Sequence, residues 1–180
     1  MLNVQRRSDN VLSVHLGLHE AVVLKMLPER LRCLLEDPDF NDRVARRFFP
    51  SAYDDEGSER EYRRLLGDEL VRHKLDCVDA FDKTLRTGTV YGTGPHRGVE
   101  VLIKPEEYEL WLGFVNDFRL MLGTELDIRD EDWGDEFDPD HPCAEDLALL
   151  HLLTWLEEEL LRASGFELPP VDPRDIRKEG

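Results

Sequence analysis

The side chains of this 180-residue chain that could do chemistry are six histidines, three cysteines and 40 aspartates and glutamates. They could support metal binding, thiol redox chemistry or carboxylate acid–base catalysis, and each of these needs a particular spacing. His73 and Cys77 stand one helical turn apart, a workable zinc pair, but nothing in the sequence nominates two further ligands. His19-Glu20 lacks the second histidine that a zincin helix places four residues on. The Glu-x-x-His of di-iron bundles is absent. The run Asp127 to Asp140 has eight acids in 14 residues, yet counting back from Gly134 puts Arg129 where a calcium loop needs its first carboxylate. Gly92, Gly94 and Gly98 give G-x-G-x-x-x-G with a strand after it, which fits neither a dinucleotide fold nor a phosphate loop. No serine or cysteine nucleophile motif occurs, and 40 acids single out no catalytic pair. We therefore expect no catalytic residue, no metal and no cofactor. The alternative from another class is a metal- or small-ligand-binding enzyme built on His73, His141 and His151.

Thiol chemistry depends on where the cysteines sit. Cys33, Cys77 and Cys143 are far apart, so sequence spacing guarantees no disulfide pair. Cys33 and Cys77 fall on apolar helical stripes and are expected to be inert. Cys143 follows His141-Pro142 at the mouth of the final helix. A helix N-terminus lowers a thiol pKa, and nearby Asp140, Glu145 and Asp146 oppose that. Cys143 is the redox candidate.

Binding surfaces are more legible than catalytic ones. Net charge is −17, and the imbalance lies almost wholly in the second half: −2 over residues 1–90 and −15 over 91–180. Such a chain repels a phosphate backbone. Arg43, Arg46 and Arg47, and Arg60, Arg63 and Arg64, are interleaved with acids. Direct nucleic-acid binding is disfavoured, and a basic protein partner is expected. Two surfaces are candidates. One is the acidic loop, with Asp130, Asp132 and Asp135 as charges and Trp133 and Phe137 as apolar anchors. The other is the narrow polar stripe of a helix at 104–123. There Gly113 is expected to open a groove where a partner meets Asn116 and Asp117, and Arg119 is expected to pair with an acid from a neighbouring helix.

The elements that must position these residues follow from periodicity. Residues 1–10 are polar and expected to be disordered. Alternation predicts strands at 11–16 and 98–103, paired as a two-stranded ribbon. Helical spacing predicts helices over 18–36, with Val22, Val23, Met26, Leu27, Leu31, Leu34 and Leu35 inward, over 39–48 and over 58–86. The last of these carries Tyr62, Leu65, Leu66, Leu70, Cys77, Val78, Phe81 and Leu85. Residues 87–98 read as a loop. The helix at 104–123 is apolar over most of its surface, through Tyr108, Trp111, Leu112, Phe114, Val115, Phe118, Met121 and Leu122, and should be central. A last helix over 143–164 ends at Gly165, and 166–180 is an extended polar tail. The fold class is mostly α (α+β), a single domain over 11–165. No run of 18 apolar residues exists, so no membrane span is expected. The start MLNVQRRSDN has no apolar core for a signal peptide. With few cysteines as well, a cytoplasmic location is expected.

The segment Trp111-Leu112, Asn116-Asp117-Phe118-Arg119-Leu120, Leu122-Gly123-Thr124-Glu125-Leu126 resembles a bacterial family. Phe49-Pro50-Ser51-Ala52-Tyr53-Asp54-Asp55, Glu61-Tyr62-Arg63, Asp68-Glu69-Leu70 and Leu153-Thr154-Trp155-Leu156-Glu157 support the likeness over about 11–164. The family is the actinobacterial domain of unknown function often encoded beside the ClpS adaptor, with some members labelled AosR, an oxidative-stress transcriptional regulator. The resemblance implies a small, mostly helical, non-enzymatic regulator that acts on a protein such as a sigma factor or another basic transcription or proteolysis component. The redox label rests on a closely spaced cysteine pair in some members, which this sequence does not have.

Overall fold

The computed structural model describes residues 2–36, 42–128 and 142–165, without the side chain of Leu66. Alternating apolar residues make the strands. β2 (Leu12–Gly17) turns Leu12, Val14 and Leu16 inward, and β4 (Gly98–Ile103) turns Val99, Val101 and Ile103 inward. The two pair antiparallel, Leu12 against Ile103 through Gly17 against Gly98. This is the expected ribbon, but it is wider than expected. β1 (Asn3–Arg6) adds to the far side of β2 and β3 (Thr89–Tyr91) to the far side of β4, giving the order β1-β2-β4-β3. The expectation of a disordered 1–10 is thus corrected, as is that of a plain loop over 87–98. Edge strands escape a periodicity search because few of their residues need be apolar. Val4 is buried in β1, and all of β3 is exposed.

Helices cover the inner face. α1 (Leu18–Glu36) continues through Pro28 and buries Ala21, Leu24, Leu27, Leu31 and Leu35. Val22 and Met26, expected inward, are 59% and 69% exposed. The apolar arc of α1 is wider than the surface it packs on. α2 (Arg43–Phe48) starts at Asp42, whose carboxylate accepts from the Val44 and Ala45 N–H groups at 2.7 and 3.3 Å. α3 (Glu56–Arg86) is capped likewise by Asp55 and buries Cys77, Val78, Phe81, Thr84 and Leu85, all in its second half. α4 (Tyr108–Glu125) packs against α2, α3 and α5 (Ala144–Ser164), the central place its composition requires. Thr84 donates to Glu107 at 2.9 Å, and the other Glu107 oxygen accepts from Lys104 N–H, which fixes the entry to α4 against the end of α3. Gly165, left-handed at φ 77°, terminates α5. No helix among the described residues is long and apolar enough to cross a membrane.

Candidate functional site

The polar stripe of α4 is not a groove. A Cβ added at Gly113 would lie 2.9 Å from Cys77 Sγ, so the glycine lets α3 and α4 approach closely. Asp117 is 4% exposed, and Lys74 of α3 donates to it at 2.6 Å. Arg119 donates to Thr154 at 3.1 Å and pairs with Glu157, both on α5. That pairing with a neighbouring helix is the expected one. Asn116 alone of the four is exposed. The stripe is packed because α4 has helices on three sides, so even its polar residues meet protein. Asp130, Asp132, Trp133 and Asp135 lie outside the described residues. Exchanging Gly113 for Ala is expected to destabilise the fold by about 1–2 kcal/mol, since overpacking outweighs the gain in helix propensity. Cys77→Ala in the same chain should restore most of the loss, as a denaturation double-mutant cycle will show.

The cysteines separate by environment. Cys77 is buried, and burial together with the Asp117 charge pushes its thiol up to about 11. Cys33, expected on the apolar stripe, is exposed, with Glu29 one turn before it at 3.9 Å. Cys143 is half-buried at the N-cap of α5. His73 and His151 are exposed and His141 lies outside the described residues. Among the described residues no group of three or more His, Cys, Asp or Glu side chains is placed to hold a metal ion.

A concavity with an apolar wall lies elsewhere. A cavity of about 630 Å³ opens between the end of α1, α2 and the first half of α3. Leu35, Phe48, Phe49, Tyr62, Leu70 and Val71 form its apolar wall, with Glu36, Arg63, Asp68 and Arg72 among its polar lining. The loop that forms one side is fastened to α3. Glu59 accepts from the Ala52 and Tyr53 N–H groups at 2.9 and 3.2 Å, Arg63 donates to the Phe49 carbonyl at 3.1 Å, and Tyr53 meets Tyr62 edge-on at 5.8 Å. Lys74 sits behind the same wall, 5.1 Å from the Phe48 ring centre. Gly67 also lines the cavity, and beyond its own stretch of helix no described atom lies within 4 Å of where its Cβ would be. A glycine inside a 31-residue helix costs about 1 kcal/mol relative to alanine. Nothing described in the chain explains it, whereas close approach by a bound segment would.

Helical spacing groups Tyr62, Leu65 and Leu70 with Cys77, Phe81 and Leu85. Leu65 is 61% exposed and Leu70, at the groove, 38% exposed. The available signal was apolar residues persisting through a stretch as charged as 56–72. Helical periodicity marks an apolar face without saying what covers it.

Desolvated carboxylates set the pH response. Burial raises the pKa of Asp117, Glu125 and Glu157, while Lys74, Arg30 and Arg119 respectively pull them back without cancelling the rise. The folded chain then holds these protons more tightly than the unfolded chain. Their contribution to stability is present below the unfolded pKa values and is lost as pH rises through the folded ones. Repulsion within a net charge of −17 acts in the same direction. Asp55 and Glu61, lowered by hydrogen bonds from Ser58 and Arg64, act oppositely and lose their contribution only as pH falls through their folded values. Tm should therefore rise as pH is lowered from about 7.5 to about 5 and fall below about 4. A lower Tm at pH 5 than at 7.5 in a calorimetric series would contradict this.

A family model described as a domain of unknown function, DUF2017, matches residues 1–164. No curated protein and no solved structure matches the chain.

Proposed function

We propose that this chain, which belongs to the DUF2017 family, is a non-enzymatic regulatory or adaptor protein that docks an apolar segment of a basic partner protein between α2 and α3. The observation that carries this reading is the apolar cavity beside the uncovered half of α3, with Gly67 opening onto it. Pockets that bind are mostly apolar with a few polar groups to fix orientation, as this one is. Glu36 and Asp68 are balanced in the lining by Arg63 and Arg72, and the net charge of −17 over the chain favours basic residues flanking the docked segment. The resemblance noted in the sequence narrows the partner to a transcription or proteolysis component such as a sigma factor, with oxidative stress as the setting. A peroxide response would enter through Cys33 or Cys143, because the Cys77 thiol is buried and held protonated.

Two variants test the groove. Leu70→Asp puts a charge into the wall at an exposed position and should leave the fold intact. Gly67→Ala should raise stability by about 0.5–1 kcal/mol and yet obstruct docking. Affinity capture from native-host lysate, read by quantitative mass spectrometry, should give a specific basic partner that both variants lose. Wild-type recovery by both variants would refute the groove as the docking site.

A further inference from the structure

The outer face of the sheet holds another cavity, of about 510 Å³, whose lining differs in chemistry from the groove. Leu2, Asn3, Gln5, His15, Tyr91 and Trp155 line it. Three of these six are aromatic, two are amides, and none is a lysine or arginine. Tyr91 and Trp155 are 37% and 36% exposed, unusual for rings of their size.

Two of the rings, His15 and Tyr91, are held in place. His15 meets Tyr91 edge-on, with ring centres 5.2 Å apart. Ser13, 3% exposed, donates to Glu100 at 2.5 Å, so its oxygen is left to accept from His15 Nε2–H at 3.0 Å. Glu100 lies 3.9 Å from the same nitrogen. This is not a hydrolase arrangement: the serine proton is committed to the carboxylate, and serine and carboxylate both sit on one imidazole nitrogen. Its effect is to fix the imidazole. Tyr91 lies over Gly98, where a Cβ would be 2.7 Å from its ring carbon and hydroxyl. A glycine in a strand is unfavourable unless something approaches the backbone closely, and here that is the Tyr91 ring.

We propose that this cavity binds an organic cation, an ammonium or guanidinium group held against the faces of Tyr91 and Trp155. Aromatic faces attract cations. The Asn3 and Gln5 amide oxygens can accept from an N–H donor. The wall contains no cation to repel the ligand. The Glu100 carboxylate stands behind His15, Glu158 lies one turn along α5 from Trp155, and the chain carries a net charge of −17. The cation can be a free quaternary ammonium compound or the side chain of a lysine or arginine on a protein, and probes separate the two.

The full chain is titrated at about pH 8, where an ordinary imidazole is neutral, while the side-chain NMR signals of His15, Tyr91 and Trp155 are followed. The probes are tetramethylammonium chloride and N-acetyl-arginine methylamide, with tert-butanol as the uncharged control and sodium chloride matching ionic strength. At least one cation should shift all three residues saturably, and tert-butanol should not. Tyr91→Leu and Trp155→Leu should each weaken that binding by about tenfold, and Tyr91→Phe should retain it. Saturation by tetramethylammonium alone identifies the small-molecule source, and tighter binding of the arginine derivative identifies a protein side chain. Equal shifts with tert-butanol, no saturable shift with either cation, or retained binding in a folded Tyr91→Leu chain would overturn the proposal.

Discussion

Lys74→Ala is expected to remove about 3–5 kcal/mol of folding stability, because it leaves the Asp117 carboxylate without its cation in a nearly closed site. Asp117 is 4% exposed, and Lys74 Nζ lies 2.6 Å from it. The lysine is also 5.1 and 6.0 Å from the ring centres of Phe48 and Phe49, which shield the pair from water. Replacing both partners, as Lys74→Met with Asp117→Leu, should recover most or all of the loss. The cost lies in stranding a charge, and a well-packed apolar pair avoids it. The loss in Lys74→Ala should also shrink on acidification. With the cation gone, burial raises the Asp117 pKa further, and the protonated carboxyl is the less costly form. Urea denaturation at two pH values checks both statements. A loss under about 1 kcal/mol would mean the pair is solvated.

Phe81→Ala is expected to cost about 3–5 kcal/mol. Phe81 is fully buried and stacks on Phe114 at 3.9 Å between centres, with Trp111 at 4.4 Å on another side. No small movement fills the space, since the neighbours are large rings on the central helix. The Trp111 indole N–H has no hydrogen-bond acceptor among the described residues, so packing alone holds that ring. Leu65→Ala, on the same helix but 61% exposed, should change stability by no more than about 0.5 kcal/mol. Equal effects at the two positions would mean that the first half of α3 is as buried as the second.

Most of the architecture was legible because the elements that carry it are long or strictly alternating. α4 is apolar on nearly every side, which only a central helix can be, and its place among α2, α3 and α5 agrees. β2 and β4 alternate and pair with each other as expected. β1 and β3 escaped because an edge strand needs little apolar content, and Thr89–Tyr91 is three residues long. The site was less legible, for a different reason. Gly113 is a small residue whether it opens a groove or admits a neighbouring helix, and only the position of Cys77 decides between them. Asp117 is an acid on a polar stripe until Lys74, itself packed against Phe48 and Phe49, pairs with it. The groove joins Leu35, Phe48 and Leu70 from three helices, so no single window of sequence contains it.

The central claim is that the cavity between α2 and α3 receives a partner protein. The most direct measurement places a photocrosslinking amino acid at position 72, an exposed residue lining the groove, and separately at the exposed position 116, then irradiates each chain in native-host cells. The account predicts one dominant basic partner joined at position 72, absent from position 116 and lost when Leu70→Asp is added. The same crosslinked products at both positions, or a position 72 product indifferent to Leu70→Asp, would contradict it.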